Sequence, residues 1–199
     1  QLDYNLGGRG MKEIFVSFCW RLMPGFRGLS NGTNKMFFTS VPNRSPAFWA
    51  ARGGQSSSSY EFIFNPQNFG TLNNCHLSGW EGDCPGSGWL HANAGSPQIV
   101  VGQTYRLSVY IKQSTSTTSQ NGIVRSWING TLVHNWTTVN FCCGDFDLMS
   151  INHTWDGSIP PSQQTSDTTH HVGNLYMVRQ AVRGHVEAEE APLHRHPHP

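Results

Sequence analysis

Residues 13–22, EIFVSFCWRL, alternate along their length. Val16, Phe18, Trp20 and Leu22 fall on one side, and Ser17, Cys19 and Arg21 on the other. An extended chain turns successive side chains to opposite faces, so this run predicts a strand with one buried face. Pro24 and Gly25 end it. The alternation returns at 104–112, where Tyr105, Leu107, Val109 and Ile111 oppose Arg106, Ser108, Tyr110 and Lys112. Segment 122–136 holds two β-like runs joined at Asn129-Gly130. That dipeptide suits a type I′ turn, which needs positive φ at both central positions, so a hairpin is predicted. Further strands are predicted at 35–40, 60–65, 146–151 and 172–179, with a short apolar piece at 47–51. No segment has the apolar periodicity of a long helix. Short alternating strands without intervening helices exclude a parallel α/β fold and leave a sandwich or a barrel.

Composition agrees with this reading. Charged residues make up 13% of the 199-residue chain, beside 21 Gly and 11 Pro, a turn-rich balance with few helix formers. The length suits one domain, expected over 1–182, followed by a His/Pro-rich tail at 183–199 that lacks apolar periodicity and is expected to be disordered. Net charge is +1, so no overall field favours nucleic acid. No apolar run approaches the roughly 18 residues of a membrane span. The chain opens at Gln1 without a secretory leader, which suggests a processed or truncated product.

Sequons begin at Asn31, Asn43, Asn129, Asn135 and Asn152 and would accept glycans in a secreted protein. Cys75 and Cys84 flank a Gly/Pro-containing loop that suits a local disulfide. Both features point to an extracellular setting. Neighbouring Cys142 and Cys143 pair poorly with each other, and no Cys-x-x-Cys motif marks a zinc site. No cofactor is implied. Asp145, Asp147 and Asp156 offer oxygens to Ca²⁺, without the dense spacing of a strong calcium loop. A phosphate-binding glycine loop, a Gly-x-Ser-x-Gly elbow and the paired carboxylates of a glycosidase are all missing.

Four segments, in order, carry a resemblance: FVSFCWRLMPGF at 15–26, GTNKMFF at 32–38, NGIVRSWINGT at 121–131 and HTWDG at 153–157. The set resembles the alginate and glucuronan lyase-like jelly rolls of the concanavalin A-like superfamily, and it extends over roughly 13–180. The resemblance implies an all-β, antiparallel two-sheet jelly-roll sandwich and β-elimination on a uronic-acid polysaccharide. Such chemistry needs a cation against the C5 carboxylate, a base for the C5 proton and an acid for the leaving oxygen. The resemblance places Lys35, three residues after Gly32, at the family's Gly-x-Lys lysine, where it would neutralise the carboxylate, with Arg52 near a family arginine. Tyr60 would supply a hydroxyl on a strand where the family carries paired tyrosines; Arg106 is the alternative to Arg52 as the assisting cation, and Tyr110 the alternative to Tyr60 for moving protons. Phe62 and Phe64 stand on that strand and cannot move protons. Gly173-Asn174 replaces the Asp-His that many relatives carry before Leu175-Tyr176.

The residues themselves offer a polar face for a saccharide. Arg106, Tyr110 and Lys112 share one side of their strand, and Tyr and Arg suit sugar hydroxyls and carboxylates. Arg125 and Trp127 share a face with Asn129, and His134 is expected across the hairpin, near them. Trp127 and Trp136 fit a sandwich core as well as a sugar platform. His170 and His171 point apart on a strand and chelate poorly. Two rivals to a lyase stand beside it. One is a glycan-binding module on the same scaffold without catalysis. The other is a glycosylated structural or adhesive protein that self-assembles.

Overall fold

A computed structural model describes residues 2–5, 11–24, 26, 33–40, 47–51, 59–65, 95–139, 145–155 and 170–178. Every regular element among them is a strand. These are β1 (Leu2–Asn5), β2 (Glu13–Leu22), β3 (Thr33–Ser40), β4 (Ala47–Ala51), β5 (Ser59–Asn65), β6 (Ile99–Val100), β7 (Thr104–Lys112), β8 (Gly122–Ile128), β9 (Thr131–Val139), β10 (Leu148–Trp155) and β11 (His170–Val178). They form two antiparallel sheets, ordered β1-β10-β3-β4-β5-β6 and β11-β2-β7-β8-β9. The fold is the expected all-β sandwich of jelly-roll type. The alternations at 13–22 and 104–112 become β2 and β7, bounded as the pattern predicts. The segment 183–199 lies outside the described residues.

The sheets meet through their apolar faces. Ile14, Val16, Phe18, Trp20 and Leu22 of β2 and Leu107, Val109 and Ile111 of β7 are buried together with Tyr60, Phe62, Ile99, Met149 and Ile151 of the other sheet. Each such side chain removed from water contributes about 1.5–3 kcal/mol, which offsets the conformational entropy lost when the strands are ordered. Turn chemistry closes the hairpins. Asn129 and Gly130 have φ of 51° and 82°, the pair of positive values a type I′ turn requires. Gly102, at φ 85°, lets the chain turn from β6 into β7, and its N–H donates to the Leu22 carbonyl at 2.7 Å.

Two register shifts decide which residues face outward. In the β8–β9 hairpin, Trp127 opposes Leu132, yet Ser126 opposes His134. One step on β8 spans two on β9, so Val133 and His134 are both buried. In β3, Phe37 opposes Phe48 of β4, yet Lys35 opposes Trp49. Here two steps on β3 span one on β4. That exchanges the face on which position 35 falls.

Candidate functional site

The outer face of the β11-β2-β7-β8-β9 sheet gathers most of the polar residues singled out from sequence. Pairing between strands sets them in rows. Glu13 opposes Lys112, which opposes Ile123; Phe15 opposes Tyr110, which opposes Arg125, which opposes Asn135. Ser17 opposes Ser108, which opposes Trp127, and Cys19 opposes Arg106. Arg106, Tyr110, Lys112, Arg125 and Trp127 therefore share one surface. Phe15 and Trp127 approach with ring centroids 6.3 Å apart, tilted by 59°. Leu132 lies exposed beside them at the turn.

Each arginine of this surface is held at one edge. The Nε of Arg106 donates to Ser17 Oγ at 3.2 Å, and Ser17 Oγ lies 2.9 Å from Ser108 Oγ. The Nε of Arg125 donates to Asn135 Oδ1 at 2.9 Å. A guanidinium fixed at Nε still presents its terminal N–H groups, which suit the two oxygens of a carboxylate. The backbone of Arg106 is pinned as well: its N–H donates to Asn129 Oδ1 at 2.7 Å, and its carbonyl accepts from Asn129 N–H at 2.8 Å.

Glu13 balances part of this charge. Lys112 Nζ lies 3.3 Å from Glu13 Oε1, and the Tyr110 hydroxyl donates to Glu13 Oε2 at 3.3 Å. Burial, then the Glu13 charge and its hydrogen bond, push the Tyr110 phenol up from 10.0 to about 12, with Arg125 opposing the rise. This phenol keeps its proton at neutral pH and donates it in the hydrogen bond to Glu13.

The residues expected to act with these lie elsewhere. Lys35 is on β3, in the other sheet, opposite Trp49 and Thr154. Trp49 opposes Ile63, one step from the buried Phe62, so position 35 falls on the outer face of its own sheet. Lys35 and Arg106 therefore stand on strands of different sheets. Tyr60 is fully buried at 0% exposure, in edge-on contact with Phe26 at 5.3 Å, on the core side of β5. Arg52 lies outside the described residues.

His134 corrects the sequence reading. It does not join Arg125 and Trp127 on the surface. It is 0% exposed, next to Ser126 Oγ, with its ring tilted against Trp136 at 4.6 Å and Phe62 at 5.8 Å between centroids. The bulge in β9 turns it inward, where Asn135 takes the place expected for it beside Arg125. Glu13, Phe15, Ser17 and Asn135 were missed as parts of the surface. The parity of the first three on β2 was legible, but the partners of all four depend on which strands pair and in what register.

Cys19 is a free thiol, half-buried, and receives Asn174 Nδ2 at 3.8 Å. Cys75 and Cys84 lie outside the described residues, as do Asn31, Asn43 and Asp156. Asn129 and Asn135 are exposed, each with its Oδ1 engaged, and Asn152 lies on β10. Asp145 pairs with Lys12 at 2.7 Å. Among the described residues no three His, Cys, Asp or Glu groups gather to hold an ion, and no helix is long and apolar enough to cross a membrane.

No protein-family model and no curated protein matches the chain. Solved structures do. Alginate lyase vAL-1 from Chlorella virus superposes with a TM-score of 0.58 at 12% identity, over 85% of this chain and 72% of that one. The endo-β-1,4-glucuronan lyase of the fungus Trichoderma reesei gives 0.53 at 14%, over 88% and 69%. A variant of alginate lyase Aly36B in complex with alginate trisaccharide gives 0.53 at 17%, over 83% and 70%. The fold is thus a polysaccharide lyase-like jelly roll.

Proposed function

We propose that this chain acts on an acidic, uronate-bearing polysaccharide, and that it does so as a lyase whose carboxylate-neutralising cation is Lys35. The observation that carries the reading is the register shift between Lys35 and Phe37, which sets Lys35 on the outer face of a sheet built like those of alginate and glucuronan lyases. A bulge is a common device for aiming one side chain out of an otherwise buried strand. A cation there lowers the cost of the carbanion formed when the C5 proton leaves. Arg52, near a family arginine, belongs to the same proposal. An extracellular setting, where such polymers occur, also belongs to it.

The test is ultraviolet absorbance of the unsaturated uronate product on alginate and polyglucuronate, comparing the wild type with Lys35→Ala. A rise that Lys35→Ala abolishes supports the reading. A folded wild type that yields no product on any polyuronate sinks the lyase.

One observation favours a second reading, glycan binding without chemistry. Tyr60 and Phe62 both face the core, so this strand offers no phenol at its outer positions 61 and 63. Tyr110 stands on the opposite sheet, with its hydroxyl engaged by Glu13. Binding of polyuronate with no product formed is the result expected on that reading.

A further inference from the structure

We propose that the outer face of the β11-β2-β7-β8-β9 sheet is a second polysaccharide-binding surface, separate from Lys35, and that it takes a carboxylate-bearing chain. It rests on the same ligand class as the reading above but on the opposite side of the sandwich.

Three features of the surface commit it to that occupant. The first is charge. Arg106, Lys112 and Arg125 stand on it, and among the described residues Glu13 is its one acidic position. Glu13 is already engaged by Lys112 and the Tyr110 hydroxyl, which leaves the two guanidinium groups uncompensated. The second is preorganisation. Arg106 and Arg125 are each anchored through Nε, by Ser17 and Asn135, and among the described residues no hydrogen bond takes their terminal nitrogens. An anchored guanidinium loses little freedom when it receives a carboxylate in its fork. The third is relief. The row Ser17–Ser108 carries small side chains, between the row of Phe15 and Tyr110 on one side and Arg106 on the other, and it leads to Trp127. Rows two residues apart along a strand lie roughly 6–7 Å from each other, so Arg125, in the row of Phe15 and Tyr110, and Arg106, two rows on, bracket the row that ends in Trp127. Half-buried Phe15, Tyr110 and Trp127 offer apolar ring faces to the sugar, and the arginines meet its carboxylates.

A surface of this kind would hold a long polymer on the protein while another part of the same chain lies over β3. It contributes retention and takes no part in bond cleavage.

The experiment is electrophoresis of the intact chain through gels containing alginate, with dextran as the neutral control. The wild type, Arg106→Gln with Arg125→Gln, Trp127→Ala and Lys35→Ala are compared, each checked for folding by its thermal melt. The expected result is retardation of the wild type by alginate and not by dextran. The double glutamine variant should bind about tenfold or more weakly, the scale of losing charge-assisted hydrogen bonds at two positions, while Lys35→Ala is still retarded. If the double variant melts early, Arg125→Lys, which keeps the charge and removes the fork, is expected to weaken retention. Equal retardation of wild type and double variant overturns the proposal. So does a wild type that alginate does not retard, or one that dextran retards equally. Product formation reports on Lys35 and retention on this face, so the failure of one is read apart from the failure of the other.

Discussion

Glu13 and Tyr110 meet across β2 and β7. The phenol donates to Glu13 Oε2 at 3.3 Å, while the other carboxylate oxygen lies 3.3 Å from Lys112. A partly buried phenol beside a carboxylate resists ionisation, and the rise from 10.0 to about 12 follows. The unfolded chain releases this proton near pH 10 and the folded one near pH 12. Stability is therefore fully present below pH 10 and declines as pH rises from 10.0 to about 12. Melting temperature across that window should fall less steeply in Tyr110→Phe than in the wild type. Parallel curves would remove the coupling.

His134 belongs to the core, and its replacement should be read in stability. His134→Ala leaves a cavity between Phe62 and Trp136 and strands Ser126, at a cost of about 2–4 kcal/mol. Urea unfolding measures it. Alginate retention of the folded fraction is expected to stay as in the wild type; a retention defect with unchanged stability would return His134 to the surface.

The Asn129-Gly130 turn holds the hairpin and Arg106 together. Gly130→Ala forces a Cβ onto φ 82°, with open space around it, so the cost is backbone strain of about 1 kcal/mol. Asn129→Ala loses the bond to the Arg106 N–H as well as the residue type suited to φ 51°, and is expected to cost about 1–2 kcal/mol. Thermal melts of the two variants check both values.

Lys12 and Asp145 form an ion pair at 2.7 Å with about half of the lysine side chain in water. Solvent screens such pairs, so Lys12→Met should change stability by no more than about 1 kcal/mol. A larger loss in chemical denaturation would mean that the pair holds the Met11–Phe146 backbone contact (3.0 Å) in place.

Much of the fold was legible because a half-buried strand writes its two faces into the chain. The apolar positions of β2 and β7 appear in the buried set, from Ile14 to Leu22 and from Tyr105 to Ile111, and Ser17 is the one residue of the polar faces that is buried with them. The same rule was available for Tyr60 and Phe62, two residues apart, which alternation marks as a core pair. The family resemblance pulled Tyr60 toward the substrate face, and tertiary structure assigns it to the core.

Composition and period determined that this chain is all-β, a sandwich or a barrel, and which of its residues lie on the polar side of β2 and β7; the sandwich came from the family resemblance. Tertiary structure decided the rest. Only strand pairing brings Glu13 to Tyr110 and Arg125 to Asn135, because those partners are far apart in sequence or set by register. Only the bulges at Val133 and between Lys35 and Phe37 send His134 inward and exchange the face on which position 35 falls. A period of two carries no mark of the single extra residue that reverses it, since the hydrogen bonds that place a bulge are made with a neighbouring strand.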